Sequence, residues 1–397
     1  MVTAWKVASR RLQRCRSPLA LGMAVLGLAL AVGACGSSGG GSGSDSSGSA
    51  AATTPAATTG GDDAAKKAAD ELAKLPRLDG KTVAYISILP IEYLSTSYNA
   101  ARAAVEELGG KFEVYNSDAD PNKELANVKT AIAKGADALL VFSTSPGAIP
   151  NIAKIAHAAK VPILHYYSYV DAVADKSVVD AWLGADATEI GRRVGELMAS
   201  KLKSGDEVAA IKGFPGTAEV TLYEKGFEEV MKAKGIKVVA QPTSNWDRQK
   251  AFQEAQQILS RYPNIKGLFC HNDDTMAGCV SALRQAGKRP GDVVLATLNV
   301  SPTGIEFIKQ GWMVGGVQQS PPLESAIGAR LIAQMLAGEK PELQSVNRCW
   351  DDAATVTKDK LASLDPVTTW TFTKETIKEA LVRPCVGQTS IFAAKGA

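Results

Sequence analysis

Short apolar runs rich in β-branched residues alternate with amphipathic segments along most of this 397-residue chain, from Lys81 onward. The alternation is the strongest constraint on the fold, because strands separated by helices form right-handed βαβ units and parallel sheets. The runs predict a first series of strands at 82–89, 112–115, 138–142 and 161–166. A second series follows at 207–212, 237–241, 267–270, 293–298 and 314–318. The sequence therefore predicts an α/β protein with two doubly wound parallel-sheet lobes.

The first 34 residues have the pattern of an export signal. Basic residues precede an uncharged, mostly apolar run at 19–34, which is shorter than the roughly 20 residues that span a bilayer comfortably. The run ends in Val-Gly-Ala before Cys35, and small residues before a cysteine resemble the lipobox of bacterial lipoproteins. That resemblance implies cleavage before Cys35 and lipidation of its thiol, with enough acyl chains for a stable anchor. An ordinary signal peptide or a short transmembrane helix is the alternative.

The segment that follows predicts a tether. Residues 36–61 contain only Gly, Ser, Ala, Thr, Pro and one Asp, so they bury too little apolar surface to offset their ordering entropy. Residues 62–75 have the composition of a short helix that leads into the folded part. We expect a signal peptide at 1–34 and a lipid-anchored flexible linker at 35–78.

Charge and composition exclude several function classes. Without residues 1–34 the chain has 39 basic and 41 acidic residues, and such a balance argues against nucleic-acid binding. The single GxSxG match lies in the tether, where no strand precedes it, and the folded part has neither a P-loop nor an HExxH motif. His271 has no second histidine at metal-ligand spacing. We therefore expect no enzyme activity, no cofactor and no metal site.

Aromatic rings, amides and hydroxyls follow the predicted strands. Because ligands bind at the carboxyl ends of parallel strands, these positions are candidates for a binding site between the lobes. They include Tyr93, Tyr167, Trp246, Asn272, Asn299 and Gln319. Flat rings stack on small ligands, and amides donate and accept hydrogen bonds in fixed directions. The alternative is that the rings only cover the core beneath a loop.

Several segments resemble one family. They are residues 120–128 (DPNKELANV), the loop at 213–217 (GFPGT) with Lys225-Gly226-Phe227 after it, residues 272–278 (NDDTMAG), and Asn299 at a strand end. Together, in this order, they resemble the type I periplasmic binding proteins, the ribose- and galactose-type solute-binding components of bacterial ABC importers. The resemblance covers about residues 82–339.

The resemblance implies two lobes that close on a ligand about hinge strands. By analogy, lobe 1 comprises residues 79–183 and 319–346, lobe 2 comprises 184–318, and residues 347–397 are a C-terminal extension packed on the body. It also implies a monomeric, extracytoplasmic protein that delivers a small-molecule solute to an ABC permease. A sensor that presents its closed form to a membrane receptor is the alternative.

The resemblance also assigns binding residues. Tyr93, Leu94, Trp246, Asn272 and Gln319 stand at family binding positions. Three further positions depart from the charged residues of sugar binders, and these are Tyr167, Thr221 and Asn299. Because charge-assisted hydrogen bonds are stronger than neutral ones, the departures favour a less polar cyclic ligand, while a sugar or polyol held by other groups stays equally open.

Other polar residues have structural alternatives. We expect His165 to be a core histidine, Asp273 to cap the following helix, and Asp247 and Arg248 to form a cap and an ion pair. Among the cysteines left after export, a Cys349–Cys385 disulfide is expected because both lie beyond the family core. Cys270 and Cys279 either pair or stay buried and free.

Overall fold

The computed structural model describes residues 60–166, 178–339, 344–345 and 355–384, with side chains from Lys66 onward except at 344–345. The predictions for the signal peptide, Cys35, Tyr167 and the Cys349–Cys385 pair therefore lie outside the described residues. No helix in the described ranges is long and apolar enough to span a bilayer.

The first sheet has six strands in the order β11-β5-β4-β3-β1-β2 and contains only parallel pairs. Its strands are β1 Thr82–Ser87, β2 Lys111–Asn116, β3 Ala138–Val141, β4 Ile163–Tyr166, β5 Ala181–Gly184 and β11 Gln344–Ser345. The register of the central pair places Val83 beside Ala138 and Ile86 beside Val141. Strands β1, β3, β4 and β5 are buried almost throughout, as expected for a parallel sheet covered on both faces.

The second sheet also has six strands, in the order β12-β10-β9-β8-β6-β7. They are β6 Glu207–Ile211, β7 Lys237–Ala240, β8 Gly267–Cys270, β9 Val294–Asn299, β10 Met313–Gln318 and β12 Thr355–Val356. Strand β12 pairs with β10 in antiparallel orientation, whereas the other pairs are parallel.

Helices cover both sheets, and most begin where the sequence supplies a side-chain cap. Asp186, Asp247 and Ser320, for example, accept hydrogen bonds from the first turns of the helices that follow them. The helices are α1 Gly60–Leu72, α2 Glu92–Glu107, α3 Pro121–Ala133, α4 Ile149–Ala158, α5 Ala187–Ala199, α6 Ala218–Ala233, α7 Arg248–Arg261, α8 Asp273–Gln285, α9 Pro302–Lys309, α10 Pro321–Leu336 and α11 Lys374–Val382.

These two layered sheets confirm the predicted fold class, and all nine predicted strands are present. The sequence reading missed β5, β11 and β12. Strand β5 has the sequence Ala-Trp-Leu-Gly, which lacks a β-branched residue, and the other two are only two residues long. Such segments give no periodic signal, so only their partners in the sheet define them as strands.

The predicted flexible linker differs from the structure at its C-terminal end. Helix α1 occupies Gly60–Leu72, in agreement with the short helix predicted at 62–75, but Leu75 and Leu78, within the predicted linker, are buried. Both leucines pack in the hydrophobic core of the first lobe, beside Val105 and Leu108 of that core. Apolar burial thus orders the end of the segment, because these side chains are covered by α2 and its neighbours.

Candidate ligand-binding site

A cavity lies between the two sheets, at the carboxyl ends of their strands. Its volume is about 30 Å³, and about 350 Å³ of empty space is present when the open mouth is included. The smaller volume holds roughly two or three water molecules. A ring-shaped solute therefore requires the walls to move apart. The lining residues are Ile91, Tyr93, Leu94, Phe142, Tyr223, Trp246, His271, Asn272, Leu298, Asn299 and Gln319.

The start of helix α2 forms the wall on the side of the first sheet. Tyr93 lies in the first turn of α2, where its hydroxyl donates to Glu324 Oε2. Tyr166, at the end of β4, donates to the same oxygen at 2.9 Å. Hydrogen bonds to a buried carboxyl group thus fix the wall of the cavity on the side of the first lobe.

Burial also governs the protonation of that carboxyl group. Glu324 is fully buried, and desolvation raises its pKa to about 7 although the two tyrosine hydrogen bonds act in the opposite direction. Desolvation raises the pKa of Tyr166 far above its ordinary value. Tyr166 therefore stays neutral and acts as a hydrogen-bond donor.

Trp246 forms the opposite wall, and its position depends on unusual backbone. Asn245 and Trp246 have φ angles of 57° and 60°, which non-glycine residues seldom adopt. Gly213 leaves the room that the indole needs, since a Cβ there would lie 2.1 Å from Trp246 Nε1. The indole is only 8% exposed. Two loops of the second lobe thus present one flat ring to the cavity.

A chain of polar side chains forms the floor. Asn299 Nδ2 donates to Gln319 Oε1, and Gln319 Nε2 donates to Tyr223 Oη at 3.2 Å. Asn272 caps helix α8 by accepting a hydrogen bond from Thr275 N at 2.8 Å, which fixes the orientation of its amide. The cavity therefore offers pre-oriented amides, the groups that recognise hydroxyls without a net charge.

Six of the eight predicted binding residues line the cavity. The other two are Tyr167 and Thr221. Tyr167 lies outside the described residues. Thr221 is exposed on α6 and does not line the cavity, which corrects its prediction. Tyr223 lines it instead, because two residues along a helix turn the side chain by about 200° to the other face. Tyr223 and Phe227 are four residues apart, a spacing typical of core residues on one helix face, so the sequence gives no signal for a binding role.

His271 also lines the cavity and was considered in the sequence only as a metal ligand. It is fully buried, and neither ring nitrogen has a hydrogen-bond partner among the described residues. Desolvation, with a smaller effect of Lys212, lowers its pKa to about 3, so the ring is neutral. His165 is equally buried, but it packs on Trp182 in the core, as expected for a structural histidine.

The polar residues around the mouth have structural roles. Asn272 rather than Asp273 caps α8, so the cap prediction for Asp273 is wrong; its buried carboxylate instead accepts a hydrogen bond from Ser301 N. Asp247 caps α7, and Arg248 pairs with Asp274 at 2.9 Å, as expected. Cys270 and Cys279 form a disulfide between β8 and α8.

The described lining contains no Asp, Glu, Lys or Arg side chain. Within the described ranges, His, Cys, Asp and Glu do not group in a way that could hold a metal ion. The lining therefore combines neutral hydrogen-bonding groups with aromatic and aliphatic surface. Such a cavity is suited to a neutral solute and supplies no nucleophile paired with a base.

Comparison with known sequences places this cavity in context. The sequence pattern of the periplasmic binding protein domain matches residues 86–340. The chain belongs to the periplasmic binding protein family. This identification confirms the resemblance drawn from the sequence motifs, and the matched range contains β2 to β10.

Relatives of this periplasmic binding protein are known by sequence and by structure. The ribose import binding protein of Salmonella typhimurium is 29% identical over 255 residues, which are 64% of this chain and 84% of that protein. The D-ribose/D-allose-binding protein of Pseudomonas aeruginosa is 28% identical over 257 residues, or 63% and 80%. The relatives are binding proteins, which supports the expectation that the chain is not an enzyme.

Among solved structures, the myo-inositol binding protein of Caulobacter bound to myo-inositol superposes with a TM-score of 0.66. It is 22% identical and covers 74% of this chain and 98% of its own. An Actinobacillus succinogenes solute-binding protein with bound D-allose gives a TM-score of 0.64 at 23% identity, covering 72% and 100%. At these identities the likeness concerns the fold, and it agrees with the two-lobe architecture.

Proposed function

We propose that this chain is a lipid-anchored extracytoplasmic binding protein that captures a neutral sugar or cyclic polyol and delivers it to an ABC permease. The solute enters the cavity between the lobes, and closure of the lobes retains it. Closure follows from a higher affinity of the solute for the closed arrangement. Cys35 carries the anchor, and the protein acts as a monomer.

One observation carries the proposal: a flat indole, two phenols and three amides converge on a cavity whose described lining has no Asp, Glu, Lys or Arg side chain. The ring of Trp246 can stack on the apolar face of a sugar ring, while Asn272, Asn299 and Gln319 are oriented to exchange hydrogen bonds with its hydroxyls. An ionised solute would lack a counter-charge in this lining and would lose hydration without compensation.

The relatives favour a sugar or polyol over a less polar ring. Their names refer to ribose, allose and myo-inositol, all of which carry several hydroxyls and no charge. The amide-rich floor satisfies such hydroxyls without the charged pair that was expected in sugar binders. A solute that is largely apolar remains an outcome of the test below.

The first experiment measures binding by the full chain, solubilised in detergent. Calorimetry and thermal melts would cover D-ribose, D-allose, L-arabinose, myo-inositol and apolar rings such as cyclohexanol. A ligand at a concentration of 100 Kd stabilises the folded protein by about 2.7 kcal/mol, which raises the melting temperature by several degrees. We expect a shift with at least one sugar or polyol. A shift with apolar rings alone, or with none of these compounds, would contradict the proposal.

Trp246 and Trp312 offer a matched pair of variants for the same assay. Both indoles are buried in the second lobe, at 8% and 7% exposure, but Trp312 does not line the cavity. We expect Trp246→Leu to weaken binding at least tenfold through loss of the stacking face, an effect of about 1.4 kcal/mol. Trp312→Leu should lower the melting temperature and leave the dissociation constant within twofold. Equal loss of binding in both variants would refute the role of Trp246.

A transport assay distinguishes delivery to an ABC permease from the alternative sensor function. Deleting the protein from its host should abolish uptake of the identified solute if it feeds a permease. Normal uptake combined with a lost response to the solute would identify a sensor instead.

A further inference from the structure

The C-terminal segment at 355–384 lies beyond residues 86–340, the part that matches the family pattern. It begins with β12 in the second sheet and ends with α11, whose Ile377, Ala380 and Leu381 belong to the core of the first lobe. Arg330 of α10 holds the end of α11 by donating to Leu381 O at 3.1 Å and Arg383 O at 2.9 Å. The segment is therefore attached to both lobes.

Between these two attachments the segment passes directly behind the cavity. The indole of Trp370 is buried, and its Nε1 donates to Gln319 O at 2.8 Å and to Asn299 O at 3.2 Å. The same ring packs edge-to-face on Tyr93, with ring centroids 5.5 Å apart. One side chain of the extension thus contacts three residues that line the cavity.

The backbone that Trp370 contacts has an unusual conformation. Asn299 has a φ angle of 93° and Val300 has one of 54°, and the second value is especially unfavourable for a β-branched residue. Such conformations persist only where surrounding contacts hold them, and they cluster at ligand clamps. Two donors converge on the Asn299 carbonyl, namely Gln319 N at 3.2 Å and the Trp370 indole at the same distance.

Neighbouring contacts hold Trp370 in place. Gln318, at the end of β10, donates through Nε2 to Thr368 O at 2.7 Å and to Thr368 Oγ1 at 3.2 Å. Arg383 pairs with Asp365 on the other side of this turn. The indole is thus fixed by its own segment, so it can hold the strand ends.

We infer that Trp370 is a positioning residue of the ligand site, which fixes the amides of Asn299 and Gln319 and the ring of Tyr93 in their binding geometry. The inference rests on the proposed function and extends the site into a segment outside the family pattern. Without the indole N–H, the strained turn at Asn299 loses one of its two donors. Its amide and that of Gln319 then sample other orientations, and the bound solute dissociates faster.

The test uses Trp370→Phe, which keeps an aromatic ring beside Tyr93 but removes the N–H donor. Trp312→Phe in the full chain is the matched control, because it makes the same change in a buried indole away from the cavity. With the solute found in the binding screen, we expect Trp370→Phe to raise the dissociation constant about fivefold, mainly through the dissociation rate, as for loss of one hydrogen bond. Trp312→Phe should stay within twofold of the wild type.

A second measurement does not need a ligand. Backbone amide exchange, followed by mass spectrometry on peptides that contain 299–301 and 319–321, reports the local order of the strand ends. We expect faster exchange there in Trp370→Phe and not in Trp312→Phe. If the wild type binds none of the screened solutes, the proposed function fails, but this local change still supports the positioning role. The positioning role of Trp370 would be overturned if amide exchange in Trp370→Phe were unchanged in both peptides. An equal increase in exchange rate throughout the chain would also overturn it.

Discussion

At the level of single residues, the buried carboxyl of Glu324 supports the cavity wall that Tyr93 forms. Tyr93 and Tyr166 both donate to its Oε2. The Ser97 hydroxyl donates to Tyr166 Oη at 3.1 Å and shares a hydrogen bond with Tyr85 Oη at 3.2 Å. Among the described residues no positively charged group forms an ion pair with it, and burial disfavours its ionised form. A protonated carboxyl group should therefore persist to higher pH here than in an unfolded chain.

The raised pKa of Glu324 predicts the direction in which the free energy of unfolding changes with pH. The pKa of Glu324 is about 7 in the folded state against 4.5 for an ordinary glutamate, and burial raises that of Asp273 from 3.8 to about 7. At these two groups the folded state therefore binds more protons between about pH 4 and 7, and their contribution to the free energy of unfolding decreases as the pH rises through that window. Glu324→Gln, which imitates the protonated group, should reduce this decrease.

Urea unfolding at pH 5 and pH 7.5 checks this prediction. The matched control is Glu106→Gln, because Glu106 is exposed on helix α2 and should leave the pH dependence unchanged. A pH dependence in Glu324→Gln as steep as in the wild type would show that Glu324 titrates at its ordinary pKa.

At the level of elements, helices α5 and α6 pack with their backbones in contact. A Cβ on Gly191 would lie 2.0 Å from the carbonyl oxygen of Tyr223, and a Cβ on Gly226 would lie 2.0 Å from that of Thr188. Glycine at both positions therefore permits a close approach that no other residue allows. This packing determines where α6 presents Tyr223 to the cavity floor.

Gly191→Ala should therefore destabilise the protein, by about 1–3 kcal/mol, as expected for overpacking. The change should also weaken solute binding, because the helices can separate only by moving Tyr223. Gly147→Ala is the control, since its φ angle is ordinary and the nearest heavy atom is 4.0 Å from its Cβ position. Urea unfolding and calorimetry compare the two. A gain in stability for Gly191→Ala, which is the usual effect of alanine in a helix, would contradict the close packing.

At the level of the whole molecule, both sheets and the C-terminal segment contribute to one cavity. The walls come from α2 in the first lobe, and from the loop after β7 and the carboxyl ends of β8 and β9 in the second. Trp370 adds contacts behind them. Because the interior volume of about 30 Å³ is too small for a sugar ring, binding requires the two walls to separate and close again.

The membrane anchor is a further whole-molecule prediction. In the native host, Cys35→Ala should move the protein from the membrane fraction to the soluble fraction, because it removes the thiol that carries the acyl chains. Cys15→Ala is the matched control, since Cys15 lies in the predicted signal peptide and is removed with it. Western blotting of the membrane and soluble fractions tests this prediction. Continued membrane retention of Cys35→Ala would favour an uncleaved transmembrane helix.

Local patterns in the chain were sufficient to predict the α/β class, nine of the strands and six of the residues that line the candidate cavity. Alternation of apolar and amphipathic segments is a local property, and parallel strands bring their carboxyl ends to one edge of a sheet. Tyr93, Trp246, Asn272 and Gln319 could be selected for that reason. The disulfide at Cys349 and Cys385 stays a prediction.

The three-dimensional packing determines which further side chains join the cavity. It replaced Thr221 by Tyr223, because the choice depends on which face of α6 packs on α5. It also brought Glu324 beside Tyr93 and Trp370 beside Asn299, across 231 and 71 residues of chain. Contacts over such separations leave no periodic trace in the sequence, since they arise from packing between elements whose order along the chain does not reveal their proximity.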